Sequence, residues 1–226
     1  MSSLKHDEFT DTNSISVYHN ENQDSILAEG QNFAVADGVG GYEGGKIASK
    51  MCVGLLHKKM ELVSREEDLK RCVIEIHEEI LEKARELGHP MMGTTLATCR
   101  IFEDRKKVLS ANVGDSPIFL VRGTSARALH FEDSERSNDP YNMWTLTQYL
   151  GFPEKLSVHT SMIDYSNGDI LLLCSDGVSD NILAGKSDPG PIAEIVNTKK
   201  SAKGIVKAAI ERNLKRDDMS AVLVFL

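Results

Sequence analysis

Five aspartates of this chain stand where strand-like runs begin or end. Asp24 opens a strand after Asn22 and Gln23. Asp37 closes NFAVA and is followed by Gly38. Asp176 closes ILLLCS and is followed by Gly177. Asp217 comes just before the last run, SAVLVFL, and Asp115 lies between KVLSANVG and SPIFLVR. Burying a carboxylate at the end of a core strand is costly unless it gains a partner. No lysine or arginine lies within six residues of Asp37 or Asp176. Gathered on one rim, these groups would repel each other, and a divalent cation would remove that cost. Oxygen donors select Mg2+ or Mn2+ over a thiol-loving metal. Each aspartate also has a plainer reading. Asp-Gly is a common turn pair, Asp24 could cap a helix or lie on the surface, and Asp217 in KRDDMS could be an ordinary solvated charge. Spacing does not say which strand ends meet.

The elements that would position these residues follow from periodicity. ISVYH, DSILAE and NFAVAD read as short strands, and GVGGYEGG as a glycine-rich turn. From about Lys46 to Val63 the pattern is helical. Residues 66–88 make the clearest helix, with Leu69, Val73, Ile76, Ile80, Ala84 and Leu87 as one stripe and Gly88 as its stop. TTLATCRIF, KVLSANV and PIFLVR are expected to form a three-stranded meander. Residues 130–143 are polar and irregular. LSVHTSMI and ILLLCS are strands, helices follow at about 190–197 and 201–214, and SAVLVFL closes the chain. This order disfavours a doubly wound parallel sheet and favours an α+β fold of antiparallel sheets covered by helices. Residues 1–12 read as a mobile leader and 13–226 as a single domain.

Composition excludes several classes. Of 226 residues 41% are apolar, enough for a substantial core. The net charge of -8 argues against a general nucleic-acid binder, which carries a basic stripe. No apolar run is long enough for a membrane helix, and the N-terminal MSSLKHDEFTDTNS has no apolar signal core. The expected location is therefore the cytoplasm. Cys52, Cys72, Cys99 and Cys174 form no CxxC pair and are expected to be buried, reduced thiols.

Seven stretches carry a resemblance. NQDSIL, FAVADGVGGYEGGKIAS, MGTTLATCRI, ANVGDSPIFLV, LTQYLG, GDILLLCSDGVSDNI and RDDMSAVLVFL resemble, in the same order, the metal-dependent protein phosphatases of the PPM family, the protein phosphatase 2C type, in a compact bacterial-like form. The resemblance implies a four-layer α-β-β-α sandwich of two antiparallel sheets. It implies hydrolysis of phosphoserine and phosphothreonine in proteins by a hydroxide bridging two Mn2+ or Mg2+ ions, which in such centres stand about 3.5–4 Å apart. By position, Asp37 would bridge both ions, with the Gly38 carbonyl on one of them. Asp176 and Asp217 would hold the other, and Asp24 would act mainly through bound water. Asp115 with Asp176 would form a third, weaker site. Asp180 would orient the SDG loop. Asp218 stands where the family usually has asparagine, so the ligand role falls to Asp217. The implied partner is a phosphorylated protein, with a serine/threonine kinase acting in opposition, and the chain is expected to be a monomer that binds neither nucleic acid nor membrane.

Four departures from the pattern matter. His19 replaces the arginine that grips phosphate in the family. It could clamp phosphate or protonate the leaving oxygen, or be a plain surface residue in a degraded site. Val39 stands where animal relatives have a histidine and cannot donate a proton. Pro117 replaces the usual arginine after GDS. The flap at 130–143 is short, which opens the mouth of the site. The alternatives are a pseudophosphatase that binds a partner without catalysis, favoured by His19 and the short flap, and a phosphatase of small esters.

Overall fold

The computed structural model of the chain describes residues 10–16, 21–40, 43–136 and 144–226. Strands β1 (Thr10–Ile15), β2 (Ser25–Glu29), β3 (Asn32–Ala36) and the two-residue β4 (Gly38–Val39) precede helices α1 (Gly44–Lys59) and α2 (Glu66–Leu87). Next come β5 (Gly93–Thr94), β6 (Leu96–Phe102), β7 (Lys107–Val113), β8 (Ile118–Arg122) and β9 (Ser125–Ala128). They are followed by β10 (Ser134–Arg136), β11 (Trp144–Leu146), β12 (His159–Asp164) and β13 (Ile170–Cys174). Helices α3 (Asp176–Leu183), α4 (Gly190–Lys199) and α5 (Ala202–Arg212) lead to the last strand, β14 (Met219–Phe225).

Two five-stranded sheets carry the fold, in the orders β1-β14-β13-β8-β9 and β12-β7-β6-β3-β2. All pairs among the described strands are antiparallel. Side chains alternate across a strand, and here both faces are covered. In β3, Phe33 and Val35 fill the space between the sheets, while Ala34 and Ala36 join the core shared with α1 and α2. In β13, Leu171 and Leu173 take the inter-sheet side, and Ile170, Leu172 and Cys174 the side of α3, α4 and α5. A run such as ILLLC, unbroken by polar residues, is what a strand covered on both faces requires. The result is the expected α-β-β-α sandwich.

Helix α2 follows its apolar stripe. Leu69, Val73, Ile76, Ile80 and Ala84 are buried, and each larger one contributes about 1.5–3 kcal/mol of burial. Leu87, the last member of the expected stripe, is exposed. Gly88 ends the helix in the left-handed region at φ +68°, donating its N–H to the Ala84 and Arg85 carbonyls. Glu66, Glu67 and Asp68 complement the positive end of the helix.

The structure corrects four expectations. The meander stops after two strands, because β8 crosses to the other sheet, between β13 and β9. Ile118 and Leu120 face the inter-sheet core while Phe119 and Val121 lie under helices, so β8 needs an inner position, and the edge of β7 is taken by β12. The Asp176-Gly177 pair opens α3 and is not a turn. Strand β1 takes in the last three residues of the expected leader. Within 130–143, Ser134–Arg136 pairs with β11 as a hairpin, so this stretch is not wholly irregular. All four cysteines are buried and free. Burial pushes the Cys72 thiol up to about 11 and the Cys99 thiol up to about 12, which leaves them unreactive. No helix of the described residues is long and apolar enough to cross a membrane.

Candidate metal centre

Sheet register carries the five aspartates to one rim. Ser25 pairs with Ala36, so Asp24 and Asp37 leave β2 and β3 at the same end. Cys174 pairs with Ala221, which puts Asp176 beside Asp217 and Asp218. Leu96 pairs with Val113, which sets the Gly114-Asp115 turn next to Thr95. The two sheets are tied here by the Gln23 N–H, which donates to Asp218 Oδ2 at 2.7 Å. Thr95 fixes Asp37 from both sides. Its N–H donates to the Asp37 carbonyl at 2.8 Å, and its hydroxyl accepts from the Asp37 N–H at 3.0 Å. The same hydroxyl meets that of Ser116 at 2.6 Å, linking Asp37 to the segment that holds Asp115.

The glycines after two of these aspartates serve close approach. A Cβ on Gly38 would lie 2.5 Å from the Gly45 backbone and 2.8 Å from the Gln23 carbonyl. A Cβ on Gly177 would lie 2.2 Å from the Asp218 carbonyl. Neither glycine has a positive φ, so chain contact, and not turn conformation, selects them.

The carboxylates act on one another across this rim. Burial pushes the Asp37 carboxyl well above its usual range, and Asp24, Asp176, Asp217 and Asp115 all add to that push. Burial raises Asp24 to about 7, and Asp218 and Asp176 add to that push. Asp115 rises to about 7 through burial and then Asp176, with Lys215 in partial compensation. Asp217 is raised by burial and then by Asp176. Among the described residues, neither carboxylate oxygen of Asp24 accepts a hydrogen bond, nor does Oδ1 of Asp176. Buried, oxygen-only donors with unfilled lone pairs and mutual repulsion fit a hard divalent cation. Among the described residues no three such side chains already converge on one point.

Lys215 is the site residue that sequence reasoning missed. Its ammonium pairs with Asp176 Oδ2, and lies 3.2 Å from Asp180 Oδ2 and 3.6 Å from Asp217 Oδ2. Burial opposes its charge, but Asp176 and Asp180 outweigh that and hold it well above the ordinary lysine value. The scarcity of basic residues near Asp176 in the sequence therefore does not hold in space. Lys215 stands two residues before Asp217, which was the only available signal. Asp218 was also passed over, yet it is buried. Asp180 reaches Asp176 by way of Lys215, and its own carbonyl accepts the N–H of Ala184 at the end of α3. Val39 pairs with Gly93 in the short β4–β5 ladder. Pro117 costs the fold no bond as an acceptor, since its carbonyl receives the Cys174 N–H at 3.2 Å. His19 lies outside the described residues, as do 137–143 of the flap. Of the other histidines, His77 is buried and accepts the Gly151 N–H at Nδ1.

Two antiparallel sheets presenting aspartates at one rim suit a centre that holds hard cations. A sequence model described as protein phosphatase 2C matches residues 18–220, and the chain belongs to that family. It is an enzyme, a metal-dependent protein serine/threonine phosphatase. The chain is 29% identical over 241 aligned positions to the serine/threonine phosphatase stp of Listeria welshimeri, with 90% of this chain and 94% of the relative covered. The fold is similar to that of the catalytic domain of the phosphatase PstP in complex with two manganese ions (TM-score 0.80, 22% identity, 96% of each chain). It is equally similar to Stp1 from Staphylococcus aureus (TM-score 0.80, 21% identity, 96% of this chain and 94% of that one).

Proposed function

We propose that this rim binds two Mn2+ or Mg2+ ions and hydrolyses phosphoserine and phosphothreonine in proteins, with each aspartate in the role that its position in the family pattern implies. The observation that carries the reading is the shared rim, where register brings the strand ends bearing Asp24, Asp37, Asp115, Asp176 and Asp217 together. Asp37 would hold both ions, with the Gly38 carbonyl beside it. Asp176 and Asp217 would hold one ion, Asp24 would act through water, and Asp115 with Asp176 would form a weaker third site. Two such ions supply a water acidic enough to attack phosphorus near neutral pH and stabilise charge on the phosphoryl oxygens. The chain's own part is to hold the ligands still. Thr95 and Ser116 set Asp37 against the Asp115 segment, and Gln23 with Asp218 locks one sheet to the other. His19 would grip the phosphate or protonate the leaving oxygen. The protein would act as a cytoplasmic monomer against a serine/threonine kinase, free of nucleic acid and membrane, with the chain from β1 onward as one domain. The name of the Listeria relative supports a phosphorylated protein as substrate, and the net charge of -8 speaks against nucleic acid as partner.

The test is turnover of a phosphothreonine peptide, p-nitrophenyl phosphate and a sugar phosphate, each with and without Mn2+. The reading expects Mn2+-dependent release of phosphate from the peptide, abolished by chelator and reduced by at least about 100-fold in Asp37→Asn. Equal activity of Asp37→Asn and wild type would refute the site. Preference for the sugar phosphate would move the substrate class to small esters.

A further inference from the structure

Lys215 is not a wandering surface side chain. The buried amide of Asn181 grips the segment that carries it. Asn181 Oδ1 accepts the N–H groups of Leu214 and Lys215 at 2.7 and 3.1 Å. Its Nδ2 donates to the carbonyls of Lys215 and Gly177 at 2.8 and 2.7 Å. Arg212, at the end of α5, also donates to the carbonyls of Asn181 and Ile182. The 213–216 segment is thus bolted onto α3, the helix that begins at Asp176, and the Lys215 ammonium is delivered among Asp176, Asp180 and Asp217. Its field also reaches Asp115 and Glu132. It therefore acts on both Asp115 and Asp176, the two residues that a third ion would need.

We propose that Lys215 is a built-in competitor for that third cation. Its ammonium neutralises the Asp176 side of the rim, steadies the metal-free protein, and must be displaced before an ion settles between Asp115 and Asp176. This rests on the metal-centre reading above. The physical basis is charge. An ammonium among three carboxylates satisfies part of the attraction that a further ion would otherwise use. Asp37 and Asp24 are not among its ion-pair partners, whereas Asp217, at 3.6 Å, is a ligand that the ammonium shares with a core ion.

The experiment is titration calorimetry of the full chain with Mn2+, comparing wild type, Lys215→Met, Lys215→Gln and Lys215→Arg, with thermal unfolding in chelator. Lys215→Met is expected to take up one more Mn2+ per chain, or to bind its weakest ion about tenfold more tightly or better. Lys215→Arg should track wild type. In chelator, Lys215→Met should melt about 3 °C or more below wild type, and saturating Mn2+ should close that gap. Lys215→Gln keeps a polar tip and serves should the methionine variant fail to fold. A neutral variant whose isotherm and metal-free melting match wild type overturns the proposal, as does Lys215→Arg behaving like Lys215→Met. Failure of the underlying reading looks different, because wild type would then bind no Mn2+, or Asp37→Asn would leave the isotherm unchanged.

Discussion

Replacing Gly177 by alanine tests whether close approach at this rim sets the metal centre. The new methyl would lie 2.2 Å from the Asp218 carbonyl oxygen and 3.1 Å from Asp217 Cβ. Ordinary contact begins near 3.4 Å, so a shift of about 1 Å is required, and the obstacle is backbone that cannot rotate away. On one side of the contact stands Asp176 at the start of α3, and on the other Asp217 and Asp218 before β14. The shift therefore falls between two carboxylates assigned to the same ion. Misplacement by about 1 Å near a reacting centre costs on the order of 10²-fold in rate. Overpacking of this kind costs about 1–3 kcal/mol of stability. The assay is kcat/KM for a phosphothreonine peptide at saturating Mn2+, together with the Mn2+ Kd and a denaturant melt. The expected outcome is a drop of roughly 100-fold in kcat/KM with weaker Mn2+ binding in a protein that still folds. Wild-type turnover and Mn2+ affinity in a folded Gly177→Ala protein would show that the close contact does not position the site.

Two further outcomes are expected. Gly54 is exposed in the middle of α1, and a Cβ there meets nothing within 4 Å; Gly54→Ala should raise stability by about 0.5–1 kcal/mol in urea melts and leave turnover unchanged. His77 is buried, and burial lowers its pKa below the ordinary 6.5. For a base with a depressed folded value, the unfolded chain takes the proton more readily, so this stability is complete above about pH 6.5 and is lost as pH falls below it. Protonation at Nδ1 would also break the bond from the Gly151 N–H. Between pH 7.5 and 5.5 wild type should therefore lose more stability than His77→Gln; parallel losses in urea melts would count against it.

Much of the architecture was legible because local periodicity encodes burial. FAVA and ILLLC, apolar at every position, announce strands covered on both faces, and the stripe of α2 announces a helix with one. The aspartates were legible by type, since carboxylates at the ends of core strands demand a partner. What local pattern did not contain was partnership over distance. The Gln23–Asp218 bond spans 195 residues and the Lys215–Asp176 pair spans 39. Such contacts arise only when register aligns β2 with β3 and β13 with β14 at the same rim. The same limit explains α3, because an Asp-Gly step suits a turn by its own chemistry, and only the folded chain puts Asp176 at the first position of a helix with Gly177 against the Asp218 carbonyl. It also explains β8, whose two apolar faces declare an inner strand without declaring which sheet. The sequence by itself determined the kind of layers, antiparallel sheets covered by helices, and the class of ligand atoms, because those follow from side-chain chemistry repeated along each segment; the count of four layers came from the family resemblance. Only the tertiary structure decided which carboxylates surround Asp37, and that a lysine stands among them, because charge acts through space and not along the chain.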